Sequence, residues 1–520
     1  MTDYRTLDNI VIVGGGTAGW MAALFAQKTL PDSLITLIES EDIGILGAGE
    51  GTTPNFVTFS DFLGIPLTRF IDGADTTLKN GIKFTNWNND GQHYYHGFDP
   101  VRDVGFGAFQ TEDILPRTSL VLGLASFEDS TLESVNVVSK ISEAGKVTFT
   151  RRTDLHEDLE LPNPIFQFEQ HSYFGVHFNA AKVAKVLREV AEERGVHRVE
   201  GKVVGVSQAE DGDIQSLSLE DGTEISVDFL FDCTGFARKF IGEVYESEWK
   251  SHRDFLPVKR AIPFFVEHDG KHIPPYTEAI AMKYGWMWRI PTQERFGSGY
   301  VFDSDLVSDD EAKAELDEFM GFEVESPRTI NFNAGYYKTP WVKNCIAAGL
   351  SSAFIEPLEA TSLWTTVNTL AGALNNTELM RSKDPRIAEE FNRKFIDMHD
   401  QVVDFLYLHY MSKRDDSEFW MRFKDTSNAP GAIQELVETW QYRVPEYKDF
   451  QGKMFLFDSW MSVASGLGLL NWNLIRKTME STGAHKASAG ALTELERRQK
   501  ELIILCVDHS TFIKELKGRS

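Results

Sequence analysis

Asn9-Ile10-Val11-Ile12-Val13-Gly14-Gly15-Gly16-Thr17-Ala18-Gly19 is the stretch whose reading decides the fold. It is an apolar run of strand length, then G-x-G-x-x-G, then a helical pattern from Trp20 to Leu30. A dinucleotide pyrophosphate needs that order. Gly14 makes the tight turn, Gly16 lets backbone approach the phosphate, and Gly19 permits close helix–strand packing. The N-terminus of that helix faces the anion. A second apolar strand, Leu34 to Ile38, ends in Glu39, where an acid meets a ribose 2′-hydroxyl. No second G-x-G-x-x-G in this setting follows, so the reading is FAD alone, with no home for NAD(P)H. Val227 to Phe231 runs into Asp232-Cys233-Thr234-Gly235, a late strand and turn expected to return beside the adenosine half.

Composition bounds the rest. A chain of 520 residues suggests about three units, which large enzymes often merge into two lobes. Hydrophobic content of 42% fills a sizeable core and excludes disorder. The balance of 52 basic against 78 acidic residues, net −26, repels phosphate backbones and anionic lipid, so neither nucleic acid nor membrane is an expected partner. Cys233, Cys345 and Cys506 lie far apart, form no metal-ligand spacing or disulfide framework, and suit a reducing cytoplasm. Met1 to Leu7 has no apolar core for a signal peptide, and the run near 459–475 is too short and polar to span a bilayer.

Four further stretches carry candidate chemistry. Gly47-Ala48-Gly49-Glu50-Gly51-Thr52-Thr53-Pro54 is a glycine-rich loop of the kind that covers a flavin, and Glu50 is its cofactor-binding candidate. Residues 74–84, weakly helical and then extended, contain Lys79 and Lys83, which spacing alone leaves as surface lysines. Gly285-Trp286-Met287-Trp288-Arg289-Ile290-Pro291 puts two tryptophans on one face of a strand, as a packed core strand or as the wall of a cofactor tunnel, with Pro291 ending it. Gly349 to Ser362 reads as a small-residue run, Glu356-Pro357-Leu358-Glu359, and then a helix start at Thr361-Ser362. Its free amides favour an anion, while Glu356 and Glu359 are alternatively first-turn acids satisfying the helix dipole.

These blocks resemble the flavin-dependent halogenases of the tryptophan halogenase family. The resemblance rests on Gly14 to Gly19, on Thr77-Leu78-Lys79 with Ile82 to Trp87, on Trp286-x-Trp288-x-Ile290-Pro291, and on Phe354 to Glu359. Gly175-Val176-His177-Phe178-Asn179, Arg295 to Tyr300 and Asp404 to Tyr410 are similar to family segments too, and the likeness covers residues 8–475. It implies an α/β fold: an FAD-binding lobe of the group-A flavin monooxygenase type with a mainly helical C-terminal lobe. The expected division is 1–370, discontinuous and with substrate-side insertions around 85–165, and 371–520. Helices are expected over Ala373 to Met380, Arg386 to Tyr410 and Leu492 to Lys517.

The resemblance also implies a chemistry. Reduced FAD from a separate NAD(P)H flavin reductase reacts with O₂ to a flavin hydroperoxide. A halide (chloride, bromide or iodide) held near the backbone of Thr361 and Ser362 becomes hypohalous acid. The oxidant passes to Lys79, and Glu359 stabilises or deprotonates the arene cation. Gly14, Gly16, Thr17, Ala18, Gly19, Glu39, Glu50, Gly349 and Leu358 are the cofactor-binding candidates. Trp286, Trp288, Ile290 and Pro291 are the tunnel wall, screening substrate from the flavin.

Two departures from the family pattern matter. Ala360-Thr361-Ser362 stands where Ser-Thr-Gly is usual, which bears on halide preference. The C-terminal Tyr-Tyr clamp for a free amino acid is replaced by Phe457 to Leu467, so an indole-like or other electron-rich aromatic is the expected substrate. Homo-oligomer formation stays open. The alternatives are a flavin monooxygenase hydroxylating an arene and a catalytically silent FAD-binding interaction protein.

Overall fold

The computed structural model describes residues 4–42, 49–98, 136–153, 164–326 and 328–519. Much of the expected insertion around 85–165 lies outside these residues, as do Gly47 and Ala48. Packing divides the chain into two interleaved units. The first is Met1–Asp75, Phe178–Asp254 and Asn333–Asp400, and the second is Thr76–His177, Phe255–Phe332 and Gln401–Ser520. The expected boundary at 370/371 falls inside the first unit.

In the first unit, Asn9–Val13 lies inside a six-stranded sheet, flanked by Leu34–Glu39 and Phe229–Asp232, both parallel to it. His197–Glu200 extends one side; Cys345–Ala347 and then the antiparallel Trp341–Val342 extend the other. A parallel strand buried on both faces needs a continuous apolar run, and Ile10 to Val13 are all buried. The helix Thr17–Thr29 follows at once, with most of its side chains from Thr17 to Ala26 buried. The amphipathic helix Ala180–Glu193 starts where the Asn179 side chain accepts from the Ala181 and Lys182 amides at 3.1 and 3.2 Å.

The second unit is built on a seven-stranded, mostly antiparallel sheet. Gly285–Pro291 runs inside it between Thr277–Met282 and Arg295–Phe302. Strand alternation sends Met287 into a core with Ile280, Tyr300, Ala312 and Leu316, and sends Trp286 and Trp288 to the opposite face. The helix Asp309–Met320 that closes this core begins with a capping box between Ser308 and Glu311.

Helices dominate the C-terminal part, from Pro385–Tyr410 to His509–Leu516. Two expected helices are corrected. The pattern over 373–380 breaks, because Thr361–Leu374 ends at Asn375 and Thr377–Arg381 starts after Asn376. The pattern over 492–517 is interrupted by the strand Cys506–Asp508, which pairs antiparallel with Lys146–Arg151. Sheet pairing there outweighs local helix preference. Among the described residues no helix is long and apolar enough to cross a membrane.

Candidate functional site

The glycine loop of the first unit is shaped by what each glycine must avoid. Gly14 has φ +118°, and a Cβ there would lie 2.1 Å from the Cys233 carbonyl oxygen. The Asp232 to Gly235 turn therefore packs directly on the loop. A Cβ on Gly19 would lie 1.8 Å from the Gly14 oxygen, so the helix sits on the turn. Gly16 is the contrast, because its Cβ direction is empty within 4 Å. Gly16 also caps Thr17–Thr29 without any side-chain hydrogen bond, and the first turn has no acid. The helix start is thus a set of amides open to an anion, which fits a pyrophosphate.

Glu39 lies against the same loop. Its Oε2 occupies the position a Cβ of Gly15 would take, 1.4 Å away. Its Oε1 accepts from Arg198 Nε at 2.6 Å, and Arg188 Nη1 stands 3.5 Å from it. Gly349, at φ +65°, would place a Cβ 2.6 Å from that of Ala18, so its turn is pressed on the start of the helix. Asp232 uses its whole carboxylate within the fold: Oδ1 accepts from Thr234, and Oδ2 from the Phe240 and Ile241 amides. Glu50 stands on the strand Glu50–Gly51, and burial pushes its carboxyl up to about 7. The described part of the expected loop is therefore ordered, with Thr53 preceding the helix Pro54–Leu63.

The Glu-Pro-Leu-Glu stretch resolves one alternative. Pro357–Glu359 is a separate 3-10 turn with Leu358 and Glu359 buried, so Glu359 is not a first-turn acid of the helix Thr361–Leu374. Ala360 links the two in the left-handed region at φ 55°, ψ 37°. That helix has no side-chain cap and no first-turn acid, leaving its N-terminus open to an anion such as halide. Thr361 is buried and Ser362 exposed, and the Ser362 carbonyl accepts from the Thr365 and Thr366 hydroxyls at 3.0 and 2.7 Å.

Lys79 belongs to the second unit. It ends the strand Thr77–Lys79, which pairs antiparallel with Gly175–Phe178 so that Lys79 faces Gly175. Lys79 is fully buried, with Nζ 5.0 Å from the centre of the Phe98 ring. Phe98 starts a row of aromatic rings: His96 at 6.4 Å, then Phe405 at 5.6 Å, with Phe455 and Trp460 at 3.9 and 5.0 Å from Phe405. His96 and Phe98 were missed from the sequence. The signal was the i, i+2 alternation Tyr94-x-His96-x-Phe98. Lys83, expected at the surface, is half-buried over the rings of Tyr95 and Tyr276.

The tryptophan pair is unequal. The rings stand 6.3 Å apart at 61°, on one face as expected. Trp286 is buried and donates to the Tyr410 hydroxyl at 3.1 Å. Trp288 is half-buried and lies across Gly299, its partner in register, where a Cβ would fall 2.1 Å from the indole. Ile290 and Pro291 are buried beside them, and the Pro291 carbonyl accepts from the Thr77 hydroxyl at 2.6 Å. The strand bearing Lys79 and the strand bearing the tryptophans are joined at that bond.

Residues 9–478 match the family model described as tryptophan halogenase. The chain is 33% identical to tryptophan 7-halogenase RebH of Lentzea aerocolonigenes, covering 84% of this chain and 82% of that one. It is 31% identical to tryptophan 6-halogenase SttH of Streptomyces toxytricini, covering 85% of each. Among solved structures, a tryptophan halogenase from Shewanella frigidimarina superposes with a TM-score of 0.86 at 26% identity, over 98% of this chain and 97% of that one. The flavin-dependent halogenase BrvH from Brevundimonas does so with 0.82 at 27%, over 99% of this chain and 100% of that one.

Proposed function

The chain belongs to the tryptophan halogenase family, enzymes that use FADH2 and halide, and within it we propose that this one halogenates an electron-rich, indole-like aromatic through Lys79. The observation that carries the reading is the fully buried lysine set against Phe98 at the head of a row of aromatic rings. A cation beside such a row is placed to present an oxidant to a flat, electron-rich ring.

Gly14, Gly16, Gly19, Thr17 and Ala18 hold the pyrophosphate of FAD, Glu39 takes the ribose, and Glu50, Gly349 and Leu358 complete the cofactor side. Bound as FADH2 delivered by a separate reductase, the flavin supplies with O₂ the oxidising equivalent that turns halide into hypohalous acid. The amides at Thr361 and Ser362 hold the halide. The Lys79 ammonium donates to the hypohalous oxygen, so that the oxygen–halogen bond breaks as the carbon–halogen bond forms. Glu359 accepts the ring proton, and the oxygen leaves as water. Trp288, with Trp286 packed behind it, screens the arene from the flavin.

The lack of a Tyr-Tyr pair around Phe457–Leu467 supports a substrate without a free amino-acid end. Incubation with FAD, a flavin reductase, NADH and each halide against a panel of indoles tests the reading. Halogenated product is expected with the wild type and none with Lys79→Ala that retains FAD. Halogenation surviving in that variant sinks the lysine assignment; a hydroxylated product replaces it with monooxygenation; micromolar saturation by free tryptophan overturns the substrate class.

A further inference from the structure

The segment Gly175-Val176-His177-Phe178 has no part in the chemistry just described, yet His177 is fully buried directly opposite Thr77 on the lysine's strand. Its imidazole Nδ1 lies 3.1 Å from Thr77 Oγ1, and its Nε2 lies 3.0 Å from Thr277 Oγ1. The Pro291 carbonyl can only accept, so the Thr77 hydroxyl proton is committed to it at 2.6 Å. Thr77 Oγ1 must then accept from His177 Nδ1–H, while Nε2 meets the Thr277 hydroxyl, which can donate to it or accept from it. The bonds to Thr77 and Pro291 fix a proton on Nδ1, and in the neutral imidazole that burial favours Nε2 accepts from Thr277.

A second histidine grips the same strand from the C-terminal region. The Leu78 amide donates to His509 Nε2 at 2.9 Å, and His509 Nδ1 donates to the Ile273 carbonyl at 2.8 Å. This ring is also neutral with its proton on Nδ1. Gln293 Nε2 donates to the Thr76 carbonyl at 2.9 Å, and the Asn80 amide to the Pro275 carbonyl at 2.7 Å. Residues on both sides of Lys79 are therefore held by named partners. Burial, then the neighbouring Lys79 charge and His509, holds His177 well below the ordinary histidine pKa and so keeps the ring neutral.

We propose that Thr77 and His177 are positioning residues for Lys79, locking the strand that carries the lysine to the Pro291 end of the tryptophan strand so that oxidant is delivered to the arene instead of being released. This rests on the reading of Lys79 above. A buried lysine has a long stem, and only a fixed strand converts its reach into a fixed position. A displacement of about 1 Å at such a group costs up to about a hundredfold in rate.

The test is how oxidant divides between product and leak. With a reductase, bromide and an indole, halogenated product and free hypohalous acid caught by a 1,3-diketone trap are measured together for Thr77→Val and Thr77→Ser. Valine keeps the shape and removes both hydrogen bonds; serine keeps the hydroxyl. In Thr77→Val total oxidant is expected to stay at the wild-type rate, while product falls about ten- to a hundredfold and the balance appears in the trap. Thr77→Ser is expected to restore delivery. A wild-type division in Thr77→Val overturns the proposal, as does a serine variant that leaks as much as the valine one. If Thr77→Val fails to fold or to hold FAD, the same measurement is made on Thr277→Val, which removes one bond: leak in place of product supports the proposal, and a wild-type division overturns it. Lys79→Ala, run alongside, separates the two ideas: if it still halogenates, the lysine reading falls, and if it does not while the threonine variants deliver normally, the relay alone falls.

Discussion

Glu39 was found by its distance from Gly19, because a strand end after a glycine loop reaches a ribose at a fixed chain length. Arg198, which holds its Oε1, was not found, since it stands 159 residues away and only the parallel pairing of His197–Glu200 with Leu34–Glu39 brings it there. With one oxygen fixed by Arg198, the other is aimed at Gly15 and the loop. Arg198→Met is therefore expected to weaken FAD binding about tenfold, the value of one charged hydrogen bond, as read by flavin fluorescence titration. The tryptophans divide in the same way. Spacing put both on one face, and could not reveal that Tyr410 takes the Trp286 N–H while Trp288 lies over Gly299. Trp286→Ala is expected to cost about 3–5 kcal/mol of stability in thermal unfolding. Trp288→Ala is expected to cost less and to alter the ratio of halogenated to hydroxylated product. Equal losses of stability would remove the distinction.

At the scale of elements, the first strand, the glycine turn and the following helix were legible because three constraints coincide over eleven residues: apolar run, turn glycines and helix start. The helix after Glu359 was legible only in outline. Nothing in Ala360-Thr361-Ser362 announced that Ala360 adopts φ 55°, a conformation that costs an alanine about 1–2 kcal/mol. The strain joins the 3-10 turn bearing Glu359 to the helix start assigned to halide, so both ends of that hinge carry chemistry in the proposed function. Ala360→Gly removes the Cβ penalty and adds backbone freedom to the unfolded chain, for a net gain of about 1 kcal/mol or less. A higher melting temperature is expected, with a changed bromide-to-chloride product ratio if the strain fixes the amides. A lower melting temperature would show that the Cβ is held by favourable packing. The strand Cys506–Asp508 was illegible for another reason: its partner Lys146–Arg151 is remote in sequence, and a helical pattern on both sides hid it.

At the scale of the molecule, the interleaving of the two units was out of reach of composition, because each is assembled from three separate stretches. It gives the units different responses to acid. His177 and His509 of the second unit are buried and neutral, the latter at about 4. In the first unit, desolvation holds His252 and His399 at about 4, while Glu50 is raised to about 7. A histidine depressed in the fold stabilises fully above its unfolded pKa of about 6.5, and that stability drains as pH falls toward the folded value. Glu50 has the opposite sign, since a raised carboxyl binds its proton better in the folded state and adds stability as pH falls from about 7. It offsets one of the two histidines in its own unit, and no such carboxyl is resolved among the described residues of the other. Each uncompensated histidine costs about 1.4 kcal/mol per pH unit. As pH falls from about 6.5 to about 5 the second unit therefore loses more stability than the first. Hydrogen exchange at these two pH values is therefore expected to show protection lost first in strands such as Thr77–Lys79 and Gly175–Phe178, ahead of Asn9–Val13. The replacement His509→Gln, which keeps a side-chain acceptor for the Leu78 amide but cannot titrate, should flatten the acid slope of the second unit. An unchanged slope would mean that His509 takes up its proton equally well in the folded and the unfolded chain.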